Sequence, residues 1–215
     1  MKVKVCCISS EKEAQLAISY GAHAIGLVGP MPSGPGIISN ESIRKIASNV
    51  PQDIMTFMLT SETTAQGIIN HHKLTQTNTI QIVDELKEGS YSEIKEALPD
   101  VNLVQVVHVI DESSLEYALN VSQHVDYLLL DSGNPNLEVK ELGGTGRTHN
   151  WSISKEIVNL SPIPVFLAGG LNPNNISEAI SAVQPFGVDV CSSLRTQGNL
   201  DEEKVKRFFD KISVV

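Results

Sequence analysis

Short apolar runs alternate with longer segments of helical spacing along the whole chain. The runs are rich in valine, isoleucine and leucine, which is typical of buried strands, and the longer segments place apolar residues three or four positions apart. Strands are predicted over Val3–Ile8, Ala24–Val28, Asp53–Leu59, Thr79–Val83, Leu103–Val109, Val125–Leu130, Val165–Leu167 and Val188–Cys191. Helices are predicted from a Ser9-Ser10 cap to about Tyr20, then over Asn40–Asn49, Ser61–His72, Tyr91–Leu98, Glu112–Val121, Trp151–Leu160, Asn172–Val183 and Asp201–Ile212.

This alternation of strand and helix predicts an α/β fold with a parallel sheet. Near-continuously apolar strands indicate a sheet that is covered on both faces. Eight such units in 215 residues, with no linker between them, predict one domain over residues 1–215, a single (β/α)8 TIM barrel. A doubly wound open sheet is the alternative, but it usually carries its glycines after the first strand, and here they cluster late.

Composition and charge narrow the possible partners. The formal net charge is -9 and no basic run occurs, which argues against a nucleic-acid partner. Small phosphorylated ligands remain compatible with this charge, because backbone amides can bind them. No apolar stretch approaches the roughly 20 residues of a membrane span, and no signal pattern opens the sequence. Three cysteines without framework spacing favour a reduced, cytoplasmic location; the sequence leaves a monomer and a homodimer equally open.

Two groups with acid–base chemistry follow predicted strands. Asp131 comes after Leu128–Leu130, so burial against that apolar wall would raise its pKa and suit it to donate a proton. A helix cap or a surface acid is the alternative for such an aspartate. Cys6 and Cys7 end the first strand, and strand alternation predicts that only one of them faces the barrel mouth. That thiol could serve as a base if a cation such as Lys4 lowered its pKa; otherwise it is a small buried hydrophobe.

Small residues follow the last three strands. The sixth strand is followed by Gly143-Gly144-Thr145-Gly146, the seventh by Gly169-Gly170 and the eighth by Ser192-Ser193. Each could be an unrelated tight turn. Together they favour a phosphate site, because loops after the late strands of this fold commonly bind phosphate through backbone amides.

These motifs resemble those of the phosphoribosylanthranilate isomerase family, enzymes of tryptophan biosynthesis built on a small (β/α)8 barrel. The likeness spans nearly the whole chain and is most specific in the second half. The segments that carry it are Lys4-Val5-Cys6, Leu129-Leu130-Asp131, Gly143-Gly144-Thr145-Gly146 with Asn150-Trp151, Leu167–Asn175 and Val188-Asp189-Val190.

The resemblance implies an Amadori rearrangement of N-(5-phosphoribosyl)anthranilate to its 1-deoxyribulose phosphate product, with a small phosphorylated sugar-amine as substrate and with no cofactor or metal. Asp131 would be the acid that opens the sugar ring, and Cys6 the base that removes a proton from the sugar carbon beside the imine. Phosphate would bind at Gly144, Thr145, Gly146, Gly169, Gly170, Ser192 and Ser193. Lys4, Arg147 and Arg195 are candidates for contacting the other end of the substrate.

The chain also departs from the family pattern. Cys7 stands where the family has glycine, the Met31–Gly36 loop lacks the family's arginine, Val83 replaces a histidine, and Arg195 replaces an acid. Several of these positions would surround the anthranilate group. A paralogue that isomerises another phosphorylated amino-sugar, and a non-catalytic phosphometabolite-binding barrel, are therefore the alternatives. A Schiff-base lyase that uses Lys4 is a further one.

Overall fold

The computed structural model describes residues 1–32, 34–133 and 148–213. Eight parallel strands close into a barrel in chain order, which confirms the predicted (β/α)8 fold. The strands are β1 (Lys2–Val5), β2 (Ala24–Val28), β3 (Met55–Thr60), β4 (Thr79–Ile82), β5 (Asn102–His108), β6 (Tyr127–Asp131), β7 (Val165–Leu167) and β8 (Gly187–Val190). Closure occurs between β1 and β8, where Lys2 to Val5 align with Gly187 to Val190.

The helices surround this barrel. They are α1 (Glu11–Ser19), α2 (Asn40–Ser48), α3 (Ala65–Thr75), α4 (Tyr91–Ala97), α5 (Ser113–Val121), α6 (Trp151–Leu160), α7 (Ile176–Val183) and α8 (Glu202–Ile212). The Ser10 hydroxyl caps α1 by accepting from the Glu13 amide at 3.2 Å, as the sequence predicts. Among the residues that the structure describes, no helix combines the length and apolar character that a membrane span requires.

Two predicted helix starts are wrong by about one turn. The third helix starts at Ala65 rather than Ser61, because the Thr64 hydroxyl caps it by accepting from the Gly67 amide at 3.0 Å. The seventh starts at Ile176 rather than Asn172. The Asn172 side chain instead accepts from the Asn174 amide at 2.9 Å and forms an Asx turn before the helix.

The hydrophobic residues form two separate cores. The larger lies between the helices and the outer face of the sheet. The smaller fills the barrel interior and includes Phe57, Leu129 and Phe166 together with Cys6 and Cys7. The upper end of this inner core is therefore also the floor of the barrel mouth, where functional groups of this fold gather.

A short segment after β8 completes the mouth. A single 3-10 turn spans Ser192–Leu194, and then Arg195–Thr196 (β9) pairs antiparallel with Asn199–Leu200 (β10). These two short strands were not predicted from the sequence. Their position matters because Arg195 reaches back from β9 to the end of β1.

Candidate active site

One cavity at the carboxyl-terminal end of the barrel brings together five of the predicted site residues. Its lining includes Cys6, Asp131, Gly169, Gly170 and Ser192. These residues come from the ends of β1, β6, β7 and β8. Separate elements thus converge on one site, as predicted from the strand ends. Gly144, Thr145, Gly146 and Arg147 lie outside the described residues.

A buried ion pair lies beneath this cavity. Lys4 is fully buried, and its Nζ contacts Asp189 Oδ2 at 2.8 Å. The ammonium also lies 5.1 Å from the centroid of the Phe57 ring, which gives it a cation–π contact. Burial alone lowers the pKa of Lys4, but Asp189 and the Cys6 sulfur outweigh burial and raise it. Lys4 is therefore charged at neutral pH and faces the underside of Cys6.

The Cys6 thiol is strongly acidic in this environment. A hydrogen bond from Cys7 and the charge of Lys4 together overcome burial and lower the pKa of Cys6 to about 5. Gly26 allows this approach, because a Cβ there would come within 2.6 Å of Cys6 Sγ and 3.1 Å of Lys4 Nζ. The structure thus supports a thiolate at position 6 under neutral conditions.

Cys7 lies in the same cavity as Cys6, so the prediction that only one of them faces the mouth is wrong. Strand alternation does not apply, because β1 ends at Val5 and Cys7 has φ of +61°. That left-handed backbone is uncommon for a residue other than glycine. Cys7 Sγ lies 2.9 Å from Cys191 Sγ. Hydrogen bonds with Cys191 and Cys6, added to burial, raise the pKa of Cys7, so Cys7 is a neutral thiol beside Cys6. Its Sγ is also within hydrogen-bond distance of the Pro35 carbonyl, at 3.6 Å.

Asp131 ends β6 directly opposite His108 of β5. Its Oδ1 accepts from the Ser132 amide at 2.8 Å. Burial raises the pKa of Asp131, and the Ser132 amide, His108 and Lys4 only partly offset that effect. The environment therefore favours the protonated form that a general acid requires.

The loop after β7 has the geometry of a small-ligand cradle. Gly169 and Gly170 have φ of +81° and +62°, conformations that glycine adopts readily. The Gly170 carbonyl accepts from the side-chain amides of Asn172 and Asn175, both at 3.0 Å. The two asparagines therefore fix the main chain at this edge of the cavity and explain the Asn residues of the sequence motif.

Ser193 differs from its neighbour Ser192. Its hydroxyl donates to the Leu171 carbonyl at 2.7 Å, which joins the β8 loop to the β7 loop. It lies against a second, outer pocket with Asn172, Lys204 and Arg207 rather than in the main cavity. Ser192 is thus the better placed of the two predicted serines.

Two predicted substrate contacts occupy other positions. Lys4 is sealed beneath the cavity by its pairing with Asp189, so it cannot reach the distal end of a substrate. Arg195 forms an ion pair with Glu13 at 3.1 Å and also donates to the carbonyls of Cys6 and Cys7. Its guanidinium therefore contacts the main chain at the β1 end, so both side chains are engaged around Cys6 rather than free at the far end of the cavity.

Several polar groups near the mouth are not among the site residues predicted from the sequence. Buried atoms without a hydrogen-bond partner in the described structure include Gln81 Oε1, His108 Nδ1, His149 Nδ1 and Asp189 Oδ1. His108 Nε2 donates to the Val83 carbonyl at 3.0 Å, so its Nδ1 is left as an acceptor. Unpaired buried acceptors are costly, and they are expected where a ligand supplies the missing donors. The sequence offered little signal for them: His108 ends β5, Gln81 and Asp189 lie within β4 and β8, and His149 comes shortly before α6.

The barrel fold and the pairing of Asp131 with Cys6 as acid and base define a class of protein, a barrel suited to isomerisation by proton transfer. Known proteins that resemble the chain belong to the same class. A sequence model of the family described as N-(5'-phosphoribosyl)anthranilate (PRA) isomerase matches residues 3–211. The protein of that name from Nostoc punctiforme is 33% identical over 99% of this chain and 98% of its own length.

Solved structures give the same assignment. The phosphoribosyl anthranilate isomerase from Thermotoga maritima is 27% identical, with a TM-score of 0.82 and full coverage of both chains. A second structure of such an enzyme, in complex with reduced 1-(o-carboxyphenylamino)-1-deoxyribulose 5-phosphate, is 25% identical with a TM-score of 0.78 and the same coverage. The chain belongs to the N-(5'-phosphoribosyl)anthranilate isomerase family, and the predicted family and isomerase activity are confirmed.

Proposed function

We propose that this isomerase converts N-(5'-phosphoribosyl)anthranilate to the corresponding 1-deoxyribulose phosphate, with Asp131 as the general acid and Cys6 as the general base. The observation that carries the proposal is that both residues line one cavity, with opposite shifts in pKa. Burial favours a protonated Asp131, whereas Cys7 and Lys4 favour an ionised Cys6. Both shifts therefore increase, at a given pH, the fraction of molecules that hold an acid and a base in the same cavity.

In the first step, Asp131 donates its proton to the ring oxygen of the ribose. The bond between that oxygen and the anomeric carbon breaks, and the substrate nitrogen supplies the electron pair that forms a protonated Schiff base. The raised pKa of Asp131 keeps a larger fraction of this carboxyl protonated than in an exposed aspartate, and only the protonated form can donate.

In the second step, the Cys6 thiolate removes the proton on the sugar carbon next to the imine. The electrons of that carbon–hydrogen bond move toward the nitrogen and give an enolamine, which tautomerises to the ketone. Lys4 stays beneath the sulfur and acts as a positioning residue, because it stabilises the thiolate before each turnover.

The phosphate is proposed to bind between the loops after β7 and β8, with Gly169, Gly170 and Ser192 on the cavity side. Gly144, Thr145 and Gly146 remain part of this proposal through the sequence motif alone. A bound phosphate holds the sugar between the acid and the base and supplies binding energy that can be used in the transition state. A cytoplasmic location, with reduced cysteines, belongs to the same proposal.

The test is to assay Cys6→Ala and Asp131→Asn on N-(5'-phosphoribosyl)anthranilate. Each should lower kcat by about 10²- to 10⁴-fold, the usual contribution of a general acid or base. Asp126→Asn is the matched control, because Asp126 precedes the same strand at the opposite end of the barrel and pairs with Lys95. It should retain activity.

Two outcomes would overturn the proposal. If Cys6→Ala and Asp131→Asn both keep full activity, the assigned roles are wrong. If the unaltered protein binds ribose 5-phosphate but does not turn over the anthranilate substrate, the proposed substrate is wrong, and another phosphorylated amino-sugar becomes the better candidate.

A further inference from the structure

Three cysteines meet at the cavity: the adjacent Cys6 and Cys7, and Cys191 from the other end of the sequence. Cys6 and Cys7 are buried, and Cys191 at the end of β8 is partly exposed. Cys7 Sγ and Cys191 Sγ are 2.9 Å apart, although the residues are separated by 184 positions. A covalent disulfide requires about 2.05 Å, so less than about 1 Å of movement separates the two thiols from a bond.

Cys7 is one of four residues other than glycine that have a positive φ in the described part of the chain, and it is the one that lies in the cavity. With φ of +61°, position 7 has a conformation that costs an L-residue about 1 kcal/mol or more, and glycine would avoid that cost. In this conformation Cys7 Sγ lies 2.9 Å from Cys191 Sγ. Strain of this kind is characteristic of functional positions, and here it serves to juxtapose two thiols.

We propose that Cys7 and Cys191 form a reversible disulfide when the protein meets a hydroperoxide, and that this bond lowers catalysis by Cys6. Cys191 is the more exposed partner, so its thiolate attacks the peroxide first, giving a sulfenic acid and hydroxide. The Cys7 sulfur then attacks the Cys191 sulfur, the sulfur–oxygen bond breaks, and the oxygen leaves as water. The net reaction consumes two thiols and one hydrogen peroxide and yields one disulfide and two water molecules.

The expected effect on catalysis depends on the proton of the Cys7 thiol, and it rests on the proposed role of Cys6 as the base. Both side chains line the same cavity, and hydrogen bonding by the proton of the Cys7 thiol is the largest cause of the lowered Cys6 pKa. Oxidation removes that proton and hence the donor. The pKa of Cys6 should then rise, and activity below that pKa should fall about tenfold for each unit of the rise.

Other uses of this cluster fit less well. Within the described part of the chain, no three metal-ligating side chains are arranged to hold a metal ion. A bond between Cys6 and Cys7 would join adjacent residues and strain the backbone. The Cys7–Cys191 pair already has its two sulfur atoms 2.9 Å apart, and a bond between them leaves Cys6 free.

The experiment is to treat the full chain with hydrogen peroxide, block the remaining thiols with iodoacetamide in denaturant, and identify the peptides by mass spectrometry. We expect a Cys7–Cys191 cross-linked peptide that disappears on reduction with dithiothreitol. Free thiols should fall from three to one, because Cys6 remains. Activity at pH 6 should fall and return with the reductant.

Two variants control this result. Cys7→Gly suits the left-handed backbone, and Cys191→Ser keeps a small polar side chain; neither should give a cross-linked peptide. Separately alkylated Cys7 and Cys191 in the treated unaltered protein would overturn the proposal, as would a Cys6–Cys7 bond. Because the peptide masses do not depend on turnover, this failure is distinguishable from failure of the proposed function.

Discussion

Aromatic rings fill the amino-terminal end of the barrel interior, whereas acids, thiols and glycines occupy its carboxyl-terminal end. Phe57 and Phe166 pack edge-to-face at 5.8 Å between ring centroids, and Phe166 and Phe186 do so at 5.5 Å. At the other end, Cys6 and Asp131 line an open cavity. Lys4 lies at the boundary, with its ammonium over the Phe57 ring and beneath Cys6.

The difference indicates how stability and chemistry are divided along the barrel axis. The aromatic end buries apolar surface with good packing and contributes to folding. The cavity end retains partnerless buried acceptors, which cost about 1–3 kcal/mol each. Substitutions at the aromatic end should therefore mainly change the free energy of unfolding, whereas substitutions at the cavity end should mainly change catalysis.

The largest expected effect is at the aromatic end. Phe166→Ala removes a fully buried ring and should lower the free energy of unfolding by about 3–5 kcal/mol. Asp131→Asn, at the cavity end, should leave that free energy almost unchanged or raise it, because a desolvated carboxyl group is removed. Urea denaturation of both variants measures the contrast. Equal losses of stability would remove the distinction between the two ends.

An intermediate effect is expected at the boundary. Lys4→Met combined with Asp189→Asn removes the ammonium without leaving a charged partner buried. Loss of a nearby positive charge favours the neutral thiol, so the Cys6 pKa should rise above about 5. The rising limb of kcat/KM, which follows thiolate formation, should move to higher pH. A shift of one unit equals about 1.4 kcal/mol.

The Cys7 hydrogen bond remains in that double variant, so the thiolate should persist at neutral pH. The pH profile separates this positioning role from a structural one, since simple loss of folded protein would scale all rates equally. A rising limb that stays near pH 5 would show that Lys4 has no influence on Cys6.

The smallest effect is expected at the cavity rim. Gly169→Ala places a Cβ 2.9 Å from His149 Nδ1 at φ of +81°, and Gly198→Ala has almost the same φ of +83° with nothing within 4 Å. Both should lose roughly 1 kcal/mol of stability from backbone strain. Only Gly169→Ala should also raise KM, because it alone lies against the proposed phosphate site. Equal KM values for the two variants would argue against that site.

The sequence predicted the barrel well because each element had a local signal. Val165–Leu167 and Trp151–Leu160 were predicted to the residue, since their apolar periods and flanking caps agree. The starts of α3 and α7 were missed because several polar residues there could cap a helix. Hydrogen bonding by Thr64 and Asn172 makes the choice between them, and it depends on the folded loop.

The site could be predicted only in part. Cys6 and Asp131 were identified from strand ends and from family resemblance, and their common cavity agrees with that prediction. The contact between Cys7 and Cys191 could not be predicted from the neighbouring sequence, because it depends on barrel closure and on the positive φ of Cys7. Arg195 was misinterpreted for a similar reason, since its partner Glu13 is 182 residues away.

That partnership has a consequence for how the site is made. Glu13 accepts from Arg195 and from the Leu200 amide, while Arg195 holds the carbonyls of Cys6 and Cys7. The first βα unit therefore receives its final shape only after the eighth has docked against it. Partly synthesised chains should carry every residue of β1 and yet lack an ordered Cys6. The emergence of activity during refolding should report ring closure itself, later than the appearance of helical structure.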